Sequence, residues 1–194
     1  MKKLNFAIII LIIMWGVFLI FRQKAIPFGI HPRDISSLKG ILFAPFIHAN
    51  FQHIIANSLA IFLLTFFMSL FYERIAVFSW FAISITAGII LWIIGRKAYH
   101  IGASITIFGL IGFLITSGLF RKNLKAFLLA VLVGILFGGA LIGILPGNPN
   151  ISWEGHLSGL ISGILWAYFL RNVEAKRNTN KNLPETNIES LDDE

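Results

Sequence analysis

Six apolar runs, at about 6–21, 54–71, 75–94, 103–119, 126–145 and 156–170, constrain this chain more than any other feature in it. Each is near the roughly 20 residues that cross a bilayer as a helix, and charged or turn-forming residues bound each one. Hydrocarbon offers the backbone no hydrogen-bond partners, so runs of this length have to satisfy their own N–H and C=O groups as helices. The expected architecture is an all-α membrane protein, six transmembrane helices over residues 1–171, followed by a polar, disordered cytoplasmic tail at 172–194. Composition agrees: 57% hydrophobic against 13% charged residues is too apolar for a soluble domain.

The first run follows Lys2-Lys3 and is long for the apolar part of a signal peptide, with no small-x-small cleavage site after Phe21. It reads as an uncleaved first span. The net charge of +7 is spread over loops that flank the spans, without a basic patch interleaved with aromatics, so it speaks for membrane topology and not for nucleic acid. The chain has no cysteine, which excludes disulfides and thiolate metal sites.

With the N-terminus inside, the cytoplasmic segments hold Lys2, Lys3, Arg74, Arg121, Lys122, Lys125, Arg171, Lys176, Arg177 and Lys181. The other side holds Arg22, Lys24, Arg33, Lys39, Arg96 and Lys97. This excess predicts an N-in, C-in topology. Spans two, four and six then run from outside to inside, and their first turns share one depth near the outer face.

Residues 22–50 contain Pro27, Gly29, Pro32, Gly40 and Pro45 among apolar side chains. They read as short helices lying on the outer membrane surface. His31, held out of helical geometry by Pro32, is expected to be an exposed or backbone-bonded loop residue. Trp80 and Trp92 mark the third span as scaffold, and the turn Pro146-Gly147-Asn148-Pro149-Asn150 delivers the sixth span to the outer surface. In the fifth span, Gly134, Gly138 and Gly139 mark either close packing or a bend.

Chemistry-bearing residues cluster at the starts of three spans. The second opens with His48, His53 and Asn57, and the last two, four apart, share a helix face. Polar groups at that depth are either functional or bridge helices. The fourth opens with Gly102-Ala103-Ser104-Ile105, placing a hydroxyl in a first turn, where free N–H groups and the helix dipole favour developing negative charge. The sixth carries His156 beside a ladder of Gly155, Gly159 and Gly163, a smooth groove for the small surfaces of Gly109 and Gly112 on the fourth. That contact would bring Ser104 near His156.

A serine becomes a nucleophile when an imidazole takes its proton. His156 is the best-placed base. His100 lies in the preceding loop, and Gly102 interrupts any shared face with Ser104. Glu154, two residues from His156, does not face it on a helix, Glu73 lies on the other side of the membrane, and Asp34 is in the surface loop. The arrangement therefore reads as a Ser–His dyad, its imidazole oriented by the Phe108 ring one turn below Ser104. The Ser104 backbone N–H, the Asn57 amide and the His53 ring are candidate oxyanion donors. Water would reach the site from the outer face.

His48, His53 and Asn57 in H-x4-H-x3-N spacing, Gly102-Ala103-Ser104, and His156-Leu157-Ser158-Gly159 with Gly163 follow one another in this order. On these motifs the chain resembles the rhomboid family of intramembrane serine proteases, over essentially its whole six-helix core. The resemblance implies a rhomboid-like bundle with Ser104 as nucleophile, His156 as general base, and Asn57 with His53 at the oxyanion site. It implies cleavage, without cofactor or metal, of a transmembrane or juxtamembrane segment in single-pass or other membrane proteins, commonly after a small residue. His48, Gly102, Phe108, Gly159 and Gly163 take supporting places. The site would face the outer side of a bacterial plasma membrane.

One position departs from the pattern. The family's serine motif is usually G-x-S-G, and here Ile105 stands in place of the final glycine. Pointing to lipid, it is harmless; pointing to the sixth span, it would hold the dyad apart. The alternative to a protease is a catalytically inactive rhomboid-like protein that binds transmembrane clients. A channel or transporter fits less well, because the spans carry no paired charges or broken midplane segments.

Overall fold

The computed structural model describes residues 2–147 and 151–173, and among these the chain is helical, without a β-strand. Helix α1 (Lys2–Phe21) leads into a connecting segment of 3-10 turns at Arg22–Phe28, Ile35–Ser37 and Ala44–Phe46, with a single α-turn, α2 (Gly40–Phe43). Then come α3 (Phe51–Phe71), α4 (Ala76–Ile94), α5 (Ser104–Phe120), α6 (Leu124–Phe137), a 3-10 continuation at Gly138–Ile144, and α7 (Trp153–Phe169). Four stretches, Leu4–Phe28, Phe51–Phe71, Ala76–Ile94 and Leu124–Ile144, are long and apolar enough to cross a membrane. The chain is an integral membrane protein. Helices α5 and α7, with 17 residues each, are shorter.

Helix α5 is the axis of the bundle. Its residues from Ile105 to Leu114 are buried without a break, and an α-helix that is apolar on every side belongs inside. Its most extensive contact is with α7, and α3, α4 and α6 pack around it. The α5–α7 seam is closed by missing side chains. A methyl group added at Gly159 would strike the Ile105 carbonyl, one at Gly163 the Gly109 carbonyl, and one at Gly112 would lie 2.8 Å from the Leu160 carbonyl. In lipid, where burial of apolar surface does not drive helices together, such backbone-to-backbone packing holds them.

Polar side chains pin the remaining helices. Trp15 Nε1 donates to Ser58 Oγ (3.0 Å), Trp80 Nε1 to Thr65 Oγ1 (3.1 Å), and Trp166 Nε1 to Thr86 Oγ1 (3.0 Å). Ser84 and Thr106 share a bond of 2.8 Å, and Ser162 Oγ donates to the Ile83 carbonyl (2.9 Å). Such bonds contribute about 0.6 kcal/mol apiece in membrane proteins, so they select helix register more than they supply cohesion.

One expectation gains detail and one changes. Residues 22–50 form the expected short helices and also pack inward: Ile30, Ala44, Ile47 and His48 are buried, and a methyl group at Gly40 would collide with the Gly29 backbone. Two backbone bonds pair Ile30 with His100 (3.0 and 2.8 Å), and Arg33 N–H donates to the Trp92 carbonyl (3.0 Å). The segment is a cap packed on its inner side, while Phe28, Ile35, Leu38, Leu42 and Phe43 stay exposed on the other. The run at 126–145 is not one α-helix, because it tightens to 3-10 form at Gly138. Added methyl groups at Gly134, Gly138 and Gly139 would meet nothing within 4 Å, so these glycines mark the change of helix form and not close packing. Of the expected tail, residues 174–194 lie outside the described residues, as do 148–150 of the turn before α7.

Candidate active site

The N-terminal ends of α3, α5 and α7 meet. Asn50 caps α3 by accepting the His53 N–H (2.9 Å), so His53 falls in the first turn and Asn57 one turn later. His48 is buried just before the cap. Asn57 Nδ2 donates to its Nε2 at 3.1 Å, and the Ala103 N–H points to the same atom at 3.4 Å. An amide nitrogen can only donate, so His48 Nε2 carries no proton. Burial first, and the neighbouring His53 second, push the His48 pKa down to about 3, which keeps the ring neutral. His48 thus ties the Asn57 amide to the backbone that leads into Ser104.

That backbone approaches α3 at Gly102. Its φ of +108° is one that L side chains rarely adopt, and its N–H donates to the Ala44 carbonyl (2.9 Å). A methyl group there would sit 2.6 Å from His53 Nε2 and 3.5 Å from Asn57 Nδ2. Glycine is required twice over, by dihedral and by space. Ser104 follows as the first residue of α5, half-buried, at a terminus whose N–H groups have no intrahelical acceptor. The His53 and His156 side chains are likewise half-buried, so the cluster reaches the surface.

Helix α7 brings in His156 on its first turn, after the Ser152 cap. Phe108 stacks on the imidazole with ring centroids 4.0 Å apart and planes within 5°. On the ring edge, Nδ1 lies 2.9 Å from the Gly143 carbonyl. A carbonyl only accepts, so Nδ1 carries the hydrogen and Nε2 the lone pair. Among the described residues no hydrogen bond joins Ser104 to His156. Their helices nevertheless touch: Phe108, one turn along α5 from Ser104, covers the His156 ring.

Ile105, only 2% exposed, does not face lipid. It turns toward α7 and fills the space left by Gly155, where an added methyl would lie 3.2 Å from its Cγ1. It does not wedge the seam open, because the Ile105 carbonyl and Gly159 meet directly one turn further on.

The other polar residues have structural partners. His100 uses both ring nitrogens: Nε2 is 3.0 Å from the Arg96 carbonyl and Nδ1 is 2.6 Å from Ser152 Oγ. Glu154, 4% exposed, places Oε2 3.6 Å from Arg96 Nη1. His31 is backbone-bonded through Ser37, whose hydroxyl donates to the His31 carbonyl (2.7 Å) and accepts its N–H (3.1 Å). Among the described residues no three His, Asp or Glu side chains gather as a metal site. Sequence reasoning missed Gly143 and Ser152. A carbonyl acceptor has no residue signature, whereas Ser152, three residues before Gly155, carried a helix-cap signal.

The Rhomboid domain, as a sequence family, matches residues 36–173 of the chain. The chain belongs to the rhomboid family. This rhomboid is 37% identical over 157 residues to uncharacterized proteins of Mycobacterium bovis and Mycobacterium tuberculosis, an alignment covering 76% of the chain and 65% of theirs. It thus spans somewhat less than two thirds of the length of those relatives. It is also 32% identical over 146 residues, 68% of the chain and 74% of the relative, to a protein of Acanthamoeba polyphaga mimivirus that carries the rhomboid name.

Proposed function

We propose that this rhomboid is an intramembrane serine endopeptidase that cuts transmembrane or juxtamembrane segments of membrane proteins with a Ser104–His156 dyad. One observation carries the reading: the start of α5 touches both neighbours, Gly102 lying against His53 and Asn57 while Phe108 lies against His156. In this reaction His156 Nε2 takes the Ser104 hydroxyl proton as Oγ attacks the scissile carbonyl. The oxyanion is met by the free N–H groups of the first turn of α5, by the second Asn57 amide hydrogen and by the His53 ring. His156 returns the proton to the leaving amine, then takes one from the water that hydrolyses the acyl-enzyme and passes it to Ser104 Oγ as the ester bond breaks. All six long helices cross the membrane in this reading, N-in and C-in in a bacterial plasma membrane, with the site toward the outer face.

A second reading, a client-binding rhomboid without activity, draws on the absence of a Ser104–His156 hydrogen bond. Unliganded catalytic bonds are often open, however, and close in the substrate complex. Purified protein in liposomes should cleave members of a transmembrane-peptide panel, and a fluorophosphonate should label the wild type but not Ser104→Ala. No cleavage, together with equal labelling of both, rejects the protease and leaves the client binder.

A further inference from the structure

The glycine seam between α5 and α7 specifies a distance, but a smooth groove resists sliding poorly. Register needs polar anchors. At the far end Arg121 Nη2 donates to the Leu170 carbonyl (2.7 Å). At the site end the anchors are more numerous and join the chain that runs into Ser104 to the first turn that bears His156. Arg96 Nη2 donates to the Ile151 carbonyl (2.8 Å), and Arg96 Nη1 lies 3.6 Å from the buried Glu154 carboxylate. His100 Nε2–H donates to the Arg96 carbonyl, which leaves Nδ1 to accept the Ser152 hydroxyl hydrogen at 2.6 Å. The Ser152 oxygen in turn accepts the N–H of Gly155, the residue before His156 (3.2 Å), and so caps α7. Every proton in this chain has one consistent place.

We propose that Arg96, His100, Ser152 and Glu154 form a polar clamp that sets the axial register of the nucleophile against the base, and that all four are positioning residues for the dyad. The proposal rests on the protease reading. Its physical basis is that a shift of about 1 Å between reacting groups can cost on the order of 100-fold in rate, while leaving substrate contacts elsewhere intact. His100 is 2% exposed, and Ile30 holds its backbone by two bonds, so the ring is itself held firmly.

The clamp also carries a pH dependence. Three charged or titratable groups face His100: Arg96 on its own loop, Glu154 on α7 and His31 on the cap segment. Burial, ahead of the opposing bond to the Arg96 carbonyl, holds the His100 pKa below its ordinary value, so the ring is neutral at pH 7. Acid would place a hydrogen on Nδ1 and take away the acceptor for the Ser152 hydroxyl. Glutamine at position 100 can donate and accept without titrating.

The test measures kcat and KM on a transmembrane substrate in liposomes from pH 5 to 8, with melting temperatures alongside. His100→Leu should lose about 10- to 100-fold in kcat with KM within about twofold, and His100→Gln should recover most of that loss. The glutamine variant should also keep a larger share of its neutral activity at pH 5.5 than the wild type does. Where His100→Leu does not fold, the more exposed Arg96→Gln decides, with an expected loss of about 3- to 10-fold in kcat. A folded variant with wild-type kcat, or a glutamine variant as impaired as the leucine one, overturns the clamp and leaves the protease reading standing. A wild type without Ser104-dependent turnover overturns both.

Discussion

The α5–α7 seam and the α6 stretch with its 3-10 continuation are built from similar ingredients and behave oppositely. Both are apolar and glycine-rich. In the seam, Gly109, Gly112, Gly159 and Gly163 each hold a place where an added methyl would strike a neighbour, in most cases a backbone atom. Along α6, Gly134, Gly138 and Gly139 face open space, and the side chains of Ile135, Leu136 and Ile142 are largely exposed. A glycine in a membrane helix therefore says nothing by itself about packing; the neighbour's position decides. Only at Gly143, where the second region meets the first, does the α6 side become tight, with an added methyl 3.0 Å from His156 Nδ1 and 3.1 Å from Phe108 Cζ.

The hardest way to break this contrast is Gly163→Val. Its branched side chain meets the Gly109 carbonyl, and because backbone cannot step aside, the cost should exceed the 1–3 kcal/mol of ordinary overpacking. Loss of a cooperative melting transition is expected, whereas Gly134→Val should melt near the wild type. Comparable melting of the two would make the seam no tighter than α6.

A second test separates chemistry from packing at the seam's end. His156→Ala should abolish turnover yet cost only about 1–2 kcal/mol of stability, as for a residue lining a cavity. If the variant fails to fold, His156 is a packing residue. Gly143→Ala should give a smaller effect, roughly a 10- to 100-fold fall in kcat, because the methyl displaces the imidazole while the helix tolerates alanine. The same change at Gly139 should leave kcat within twofold, and equal losses at both would show that the Gly143 carbonyl does not act through His156.

Acid should weaken the seam's site end before it touches α6. The folded pKa values of His48 and His100 are both lowered by burial, to about 3 for His48, while an unfolded histidine titrates near 6.5. Protonation then favours the unfolded chain, so their stabilisation is complete above about pH 6.5 and is lost as pH falls toward the folded values. Amide protection, taken relative to the slower chemical exchange in acid, should fall first at residues 100–104 and 152–156 between pH 7 and pH 4.5. A uniform fall in protection would place the acid-sensitive groups elsewhere. The smallest effect is Gly134→Ala, which should raise stability by about 0.5–1 kcal/mol through helix propensity alone.

Much of the framework was readable in the chain. The runs at 54–71, 75–94, 103–119 and 156–170 became α3, α4, α5 and α7 with ends moved by no more than three residues. Apolar length is a local property, and it needs no knowledge of neighbours. The contact of α5 with α7 was also readable, because a repeating glycine every four residues leaves one face of a helix without side chains. The direction of Ile105 was not: a β-branched residue beside the serine looks like an obstacle until Gly155 is seen to receive it. Nor was the work of His100, whose partner Ser152 lies 52 positions away and reveals itself only as a helix cap.

By itself, then, the sequence determined that this chain enters a membrane, where four of its long helices begin and end to within three residues, and which spaced His, Asn, Gly and Ser residues gather at their starts. Those properties follow from run length, helical periodicity and residue type. Tertiary structure alone decided which glycines bear a neighbour's backbone, which nitrogen of His156 holds the proton, and what ties the loop before Ser104 to the helix that carries His156. The reason is common to all three. The partners are main-chain carbonyls or residues far along the chain, and a carbonyl is present in every residue, so no side-chain pattern marks the ones that the fold will use.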